Sequence, residues 1–174
     1  MQNILRLNLG TVNCSLLPVQ KGFILIDTGG YTFQGNPTDN KREILEKQQI
    51  ENGCIAGKLR LVILTHGDVD HIANGKYLQD TYRVKIAIHE ADNPLVGNLT
   101  VEKVLSNFKF KAPFLSLMAL LMRSLITKTT KRIVGLYQEF QPDEFIDENY
   151  DLSQYGLDAR ILYLPGLTEK RRKA

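Results

Sequence analysis

The sequence predicts a single mixed α/β domain, and three features of the 174-residue chain predict it. Short apolar runs typical of strands fill the N-terminal region. From residue 59 onward, segments with strand and helix patterns alternate, as mixed α/β layers require. Hydrophobic residues make up 43% of the chain and charged residues 24%, so one soluble domain has enough apolar side chains for a sizeable core.

The N-terminal region predicts three strands. Residues 4–9 alternate apolar with polar side chains, and residues 12–19 form a second short apolar run, so together they predict a hairpin. Residues 22–27 predict a third strand that is buried on both faces, because its apolar run is continuous. The sequence Asp27-Thr-Gly-Gly30 then predicts a turn.

Helices and strands are expected to alternate in the middle of the chain. Asp39 or Asn40 is the expected N-cap of an amphipathic helix that ends at Asn52-Gly53. Further expected elements are a buried strand over 59–64, a helix over 71–80 and a strand over 84–88. His89 follows the last of these strands, and we expect it to be a solvated residue near a pocket rim rather than a metal ligand.

The segment after the 59–64 strand concentrates side chains that bind metals. His66, Asp68, Asp70 and His71 fall within six residues. Imidazole and carboxylate groups are ligands of zinc, iron and manganese. Gly67 is expected to let the backbone turn sharply, so that the side chains converge on one or two adjacent metals. The alternative is a polar loop in which Asp68 or Asp70 caps the following helix and the histidines are exposed.

This loop resembles the Thr-His-x-His-x-Asp-His signature of the metallo-β-lactamase-fold hydrolases. Thr65, His66, Asp70 and His71 match it, and Asp68 stands where the family usually has its second histidine. The resemblance implies that His66 and Asp68 bind one metal and that Asp70 and His71 bind another, with Asp70 also able to accept a proton. An anionic oxygen ligand at position 68 favours harder metals.

The turn at Asp27 resembles the family's Asp-Thr-Gly, which lies near the metal loop and supports it through hydrogen bonds. By resemblance, Asp27 and Thr65 therefore support the ligands without binding metal. The implied fold is α/β, of mixed α+β type: a metallo-β-lactamase-like αββα sandwich. The implied cofactor is a divalent metal, with zinc expected, iron or manganese as alternatives, and up to two ions in an intact relative.

The C-terminal part of the chain departs from the family. Leu167 in Pro165-Gly-Leu-Thr168 stands where relatives have a histidine ligand, and leucine cannot bind a metal. The later family ligands have no counterpart in the basic tail 167–174. We therefore expect a partial domain over 1–166, truncated so that its second half is incomplete.

Residues 97–140 are expected to be the family's variable insertion. Within it, the apolar run 114–126 predicts a helix, either in the core or as a lid on the substrate pocket. Lys128, Lys131 and Arg132 would then face solvent or an anionic group of the substrate. Two short strands are expected after Pro142, the second within 156–166.

The resemblance implies a metal-dependent hydrolase that cleaves an ester, lactone, thioester or similar bond of a small-molecule substrate through a metal-bound hydroxide. The missing C-terminal ligands leave two alternatives. One is a catalytically inactive fragment of such a hydrolase, and the other is a non-enzymatic binding module. Metal content and turnover of a generic ester distinguish the three.

Composition gives further expectations about partners and location. The net charge is +3, concentrated in residues 123–132 and in the tail, which predicts a mildly basic face and no nucleic-acid partner. Cys14 and Cys54 show no Cys-x-x-Cys spacing and are expected to be reduced. The chain has neither a signal-peptide pattern nor an apolar run of the roughly 20 residues that span a membrane, so a cytoplasmic location is expected. Truncation would leave an open sheet edge, which predicts a homo-oligomer.

Overall fold

The computed structural model describes residues 3–33, 36–106, 122–162 and 164. These residues form a six-stranded mixed sheet whose strands follow one another in chain order. The first three strands are antiparallel, and the third to sixth are parallel. The strands are β1 Leu5–Asn8, β2 Asn13–Val19, β3 Gly22–Ile26, β4 Leu59–Leu64, β5 Lys85–Ile88 and β6 Glu144–Phe145. The predicted mixed α/β class is confirmed.

Helices connect the parallel strands. They are α1 Arg42–Glu51, α2 Val69–Ile72, α3 Gly75–Tyr82, α4 Asn93–Val96, α5 Val101–Ser106 and α6 Arg123–Leu136, with turns of 3-10 helix at Glu90–Asp92 and Ser153–Tyr155. Across the described ranges, no helix is long and apolar enough to cross a membrane.

The sheet separates two apolar clusters. Neighbouring residues of a strand point to opposite faces, so Leu25 joins one cluster and Ile24 joins the other, and both are fully buried. The larger cluster takes side chains from the helices, such as Leu45, Leu78 and Ile133. The smaller one is covered by side chains from residues 146–161. The prediction that β3 is buried on both faces is therefore confirmed.

The helix predicted over 71–80 is two helices, and this part of the prediction was wrong. Both the backbone N–H and the hydroxyl of Thr28 donate to the carbonyl oxygen of His71, at 2.8 and 2.9 Å. That oxygen would otherwise accept the helical hydrogen bond of Gly75. The helix α2 therefore ends at Ile72, and α3 begins after Asn74.

The expected N-cap of the first helix was also wrong. Lys41 occupies that position in a left-handed conformation, with φ of 60°. Asp39 and Asn40 lie just before it, and their side chains accept hydrogen bonds from the backbone N–H groups of Lys41 and Arg42. Both side chains thus form local turns ahead of the helix instead of capping it.

The second of the two C-terminal strands is absent over residues 156–162, which form no regular element. Leu157 and Ile161 in this segment pack on the smaller apolar cluster. The segment therefore lies over a face of the sheet, whereas β6 at the edge offers only two residues for pairing.

Several predicted features lie outside the described residues. These are most of the 114–126 helix, Leu167 with its Pro-Gly motif, and the tail 167–174. In the described part of residues 97–140, α6 begins at Arg123, and Lys128, Lys131 and Arg132 are exposed to solvent.

Candidate metal centre

The candidate ligands lie where two parallel strands end. β3 and β4 are parallel neighbours, so the residues that follow Ile26 and Leu64 meet at one edge of the sheet. Asp27 follows β3 directly, and Thr65 begins the loop after β4. Loops at the carboxyl ends of parallel strands are where α/β proteins usually bind ligands.

Asp27 connects these two strand ends. Its carboxylate accepts hydrogen bonds from the backbone N–H of Thr65 at 2.8 Å, from the Thr65 hydroxyl at 2.8 and 2.9 Å, and from Nδ1 of His71 at 2.8 Å. Asp27 is only 6% exposed, and its φ of 61° places it in the left-handed region. Aspartate tolerates that region better than most residues, and strained backbone of this kind is concentrated at functional sites.

For imidazoles that carry a single proton, this network determines which ring nitrogen holds it. The Thr65 hydroxyl has one proton and donates it to Asp27, because a carboxylate only accepts. The same hydroxyl lies 2.9 Å from Nδ1 of His66 and must therefore accept a proton from that nitrogen. Nδ1 of His71 likewise donates to Asp27. Each ring thus carries its proton on Nδ1 and keeps a lone pair on Nε2, the arrangement that supporting carboxylates impose on metal-binding histidines.

The four candidate ligands approach one another as two pairs. Nε2 of His66 lies 3.4 Å from a carboxylate oxygen of Asp68, and Nε2 of His71 lies 3.8 Å from one of Asp70. The two rings are themselves adjacent, with centroids 4.2 Å apart. Imidazole lone pairs beside carboxylates suit a divalent cation, so the chemistry of this donor set fits the implied metal.

The number of donors is smaller than in a complete zinc site. Among residues 3–33, 36–106, 122–162 and 164, no group of three or more His, Cys, Asp or Glu side chains is placed to hold a metal ion. Catalytic zinc usually has three protein ligands. The assignment of the four residues as ligands therefore stays a prediction.

Burial and charge act in opposite directions on the titration of this loop. Burial raises the pKa of Asp70, and the nearby charge of His71 partly opposes that rise. Burial by itself would lower the pKa of His71, but the hydrogen bond and charge of Asp27 raise it above its ordinary value. Both directions arise from the protein side chains alone, and a bound divalent cation would lower both pKa values.

Two supporting residues were missed by the sequence interpretation. Thr28 holds the backbone of His71 in place, as described above, and is fully buried. Asn74, also fully buried, donates from its side chain to the carbonyl oxygens of Thr28 and Asn40, at 2.9 and 2.8 Å. A buried asparagine in the middle of a predicted helix was the available signal, because asparagine is a poor helix former.

Gly67 has a different role from the predicted sharp turn. Gly67 is not one of the glycines of the described chain that have a positive φ. A Cβ at this position would instead lie 2.7 Å from Cβ of Leu95 and 2.8 Å from its Cδ1. The glycine is therefore needed for the close approach of α4 to the loop.

His89 has a local structural role. Its Nδ1 accepts a hydrogen bond from the backbone N–H of Ala91 at 3.1 Å and so caps the 3-10 turn that follows β5. That His89 is not a metal ligand stays a prediction.

A cavity of about 350 Å³ opens beside the loop. Asp68 and Asp70 lie in its wall, so two of the four candidate ligands border this space. Other segments contribute as well, namely residues 11–12 between β1 and β2, residues 31–33 after β3, and Leu95, Leu99 and Val104 near α4 and α5.

Comparison with protein families identifies the chain. The model of the metallo-beta-lactamase superfamily matches residues 7–166. The chain belongs to this superfamily. The resemblance carried by the 65–71 loop is thereby confirmed. Curated proteins gave no match.

Solved structures of this superfamily share the fold. The metallo-β-lactamase GOB-18 from Elizabethkingia meningoseptica has a TM-score of 0.53 and 16% identity, covering 80% of this chain and 40% of its own. BJP-1, a subclass B3 enzyme of Bradyrhizobium japonicum, has a TM-score of 0.57 and 15% identity, with coverages of 86% and 44%. A β-lactamase from Chitinophaga pinensis has a TM-score of 0.53, 14% identity, and coverages of 83% and 43%.

The predicted metallo-β-lactamase-like fold is confirmed by these comparisons. The chain spans less than half the length of each of these three structures. At such identities the likeness shows the fold alone, because one fold hosts many chemistries.

Proposed function

We propose that this chain contributes the metal-binding loop of a metal-dependent hydrolase that cleaves an ester, lactone, thioester or similar bond in a small molecule. The observation that carries the proposal is the hydrogen-bond network of Asp27. It holds two adjacent imidazoles with their Nε2 lone pairs available beside two carboxylates.

His66 and Asp68 would hold one divalent cation, and Asp70 and His71 would hold the second. A bound cation of this kind, zinc by preference, supplies Lewis-acid polarisation of the substrate and activates water at neutral pH. Each pair supplies two donors, fewer than the three protein ligands usual for catalytic zinc.

The protein side chains have three tasks in this proposal. Asp27 keeps both imidazoles in one tautomer and orientation, directly for His71 and through the Thr65 hydroxyl for His66. The carboxylate of Asp70 lies at the cavity wall, where it can accept a proton from the attacking water. The cavity itself positions the substrate and excludes bulk water.

Chelator-sensitive hydrolysis tests the proposal. The purified chain is stripped with a chelator, reloaded with zinc, and assayed with p-nitrophenyl acetate, thiophenyl acetate and a simple γ-lactone. We expect turnover that is lost on stripping and returns on reloading, and that falls at least tenfold in Asp70→Asn. Hydrolysis that survives the chelator, or no turnover at full metal occupancy, would refute it.

A second candidate is a metal-binding fragment without turnover. It is favoured by the placement of the donors in pairs, because no group of three or more potential ligands is placed to hold a metal among the described residues. Metal bound at the loop with no chelator-sensitive turnover would select this candidate. The absence of both metal and turnover would leave the non-enzymatic binding module.

A further inference from the structure

We propose that the cavity beside the metal loop binds a neutral, apolar acyl group, so that the substrates are uncharged acyl esters or thioesters and not those with an anionic acyl tail. The proposal rests on the proposed function, because it assigns the substrate class of the same site. It further specifies that the chain recognises the acyl group of the substrate and rejects a negative charge on that group.

The first support is the composition of the cavity wall. Away from the metal loop, the wall consists mainly of apolar side chains: Val12, Phe33, Leu95, Leu99 and Val104, with Val69 from the loop's own helix. Leu99 and Val104 are buried, whereas Phe33 is 37% exposed. An acyl chain that enters this space would replace water against apolar carbon, which is favourable in proportion to the area covered.

The second support is the distribution of charge. The charged side chains found among the described lining residues are Asp68 and Asp70, and both lie at the loop end of the cavity. Lysine and arginine are the usual partners of carboxylate and phosphate groups in binding sites. The described wall offers neither, so an anionic tail would lose its hydration without gaining a counter-charge.

The third support is the size and direction of the cavity. Its volume of about 350 Å³ lies at the lower end of the range for small-molecule pockets. Its loop end holds Asp68 and Asp70, and its other lining side chains are mainly apolar, with the hydroxyl groups of Thr11, Tyr31 and Thr32 among them. A substrate is therefore oriented with its scissile carbonyl at Asp68 and Asp70 and its acyl chain toward Leu99 and Val104.

Two matched pairs of compounds separate this proposal from the proposed function. For binding without chemistry, 2-octanone is compared with 7-oxooctanoate, which has the same chain and ends in a carboxylate. Neither ketone can be hydrolysed, and isothermal titration measures both on the purified chain. For turnover, p-nitrophenyl hexanoate is compared with the p-nitrophenyl monoester of adipic acid, again differing by a terminal carboxylate.

We expect 2-octanone to bind at least tenfold more tightly than 7-oxooctanoate. In the series from acetate to hexanoate, kcat/KM should rise about fourfold for each methylene that enters the cavity. Equal binding of the two ketones, no binding of either, or a flat ester series in an active protein would overturn the proposal. Selective ketone binding without any hydrolysis would support the cavity assignment while refuting the proposed function.

Three variants locate the effect in this cavity. Phe33→Ala removes part of the wall and should weaken 2-octanone binding about fivefold. Phe145→Ala is the matched control, because Phe145 is 52% exposed on β6 and lies outside the cavity lining. Thr11→Lys adds a cation at an exposed position of the wall and should improve 7-oxooctanoate binding at least threefold. Equal effects of the two phenylalanine changes, or no gain from the lysine, would contradict the assignment.

Discussion

Replacing Asp27 by asparagine tests whether one carboxylate organises the whole loop. The two oxygens of Asp27 receive three donors, the N–H and hydroxyl of Thr65 and the Nδ1–H of His71. Asparagine keeps one oxygen and replaces the other with an NH₂ group. In either orientation of the amide, that NH₂ meets an N–H donor, of Thr65 or of His71.

The size of the effect follows from burial and charge. Hydrogen bonds to a charged group contribute roughly 1.5–3 kcal/mol each, and a buried donor left without a partner costs a similar amount. Because Asp27 is 6% exposed, we expect Asp27→Asn to lower the free energy of unfolding by about 2–4 kcal/mol. His71 can relieve the clash by moving its proton to Nε2. That change removes the lone pair and should weaken metal binding about 10- to 100-fold.

Urea unfolding in the presence of a chelator gives the stability, and competition with a chromophoric chelator gives the zinc affinity. Asp39→Asn is the matched control, because the Asp39 side chain is 44% exposed and pairs with Lys41. A surface pair of this kind contributes about 1 kcal/mol or less. If Asp27→Asn behaved like Asp39→Asn in both measurements, the proposed role of the Asp27 network would be refuted.

Two further predictions concern packing and pH. Gly67→Ala should destabilise the fold by about 1–3 kcal/mol in urea unfolding, because its methyl group would meet Leu95 at 2.7 Å. Gly135→Ala, with nothing within 4 Å of the added Cβ in α6, should be neutral or stabilising by up to about 1 kcal/mol, and equal losses would contradict both statements. Burial would raise the pKa of Glu144, but the hydrogen bond from Lys85 prevails and holds that pKa below its ordinary value. The ionised Glu144 therefore stabilises the fold above its unfolded pKa, and this contribution is lost as pH falls through the folded pKa. Urea unfolding at about pH 3 to 6 should show a smaller acid-induced loss for Glu144→Gln, and an unchanged pH profile would refute the sign.

The strands were predictable because local pattern and tertiary environment agree. The run Leu59–Leu64 is apolar except at Arg60, which is exposed, and its other residues are buried on both faces of the sheet. An apolar run of that length fits a central parallel strand, so its predicted bounds equal those in the structure. The hairpin of β1 and β2 was also predictable, because its alternating and short apolar runs correspond to strands in the structure.

The break between α2 and α3 was not predictable from local pattern. It depends on hydrogen bonds from Thr28, which lies more than forty residues earlier in the chain than its acceptor His71. The low helix propensity of Asn74 was the one local signal, and the interruption itself is revealed only by the folded arrangement. Gly67 is a similar case, because the side chain that requires it, Leu95, comes from a different segment.

The candidate site was predictable in composition but not in arrangement. The sequence motif named His66, Asp68, Asp70 and His71, together with Asp27 and Thr65. It could not show that the Thr65 hydroxyl transmits the constraint of Asp27 to His66, because that depends on how two strand ends meet. The cavity wall was equally hidden, since its parts come from segments scattered between Thr11 and Val104.

Metal stoichiometry of a double variant tests most directly whether the 65–71 loop is the metal centre. His66→Ala combined with His71→Ala removes both imidazoles, and His89→Ala is the control because His89 caps a turn outside the loop. The proteins are loaded with zinc, passed through a desalting column, and measured by elemental mass spectrometry alongside circular dichroism to verify folding. The double variant is expected to lose its zinc while His89→Ala keeps the wild-type amount. Zinc retained by the folded double variant at the wild-type stoichiometry would contradict a metal centre in this loop.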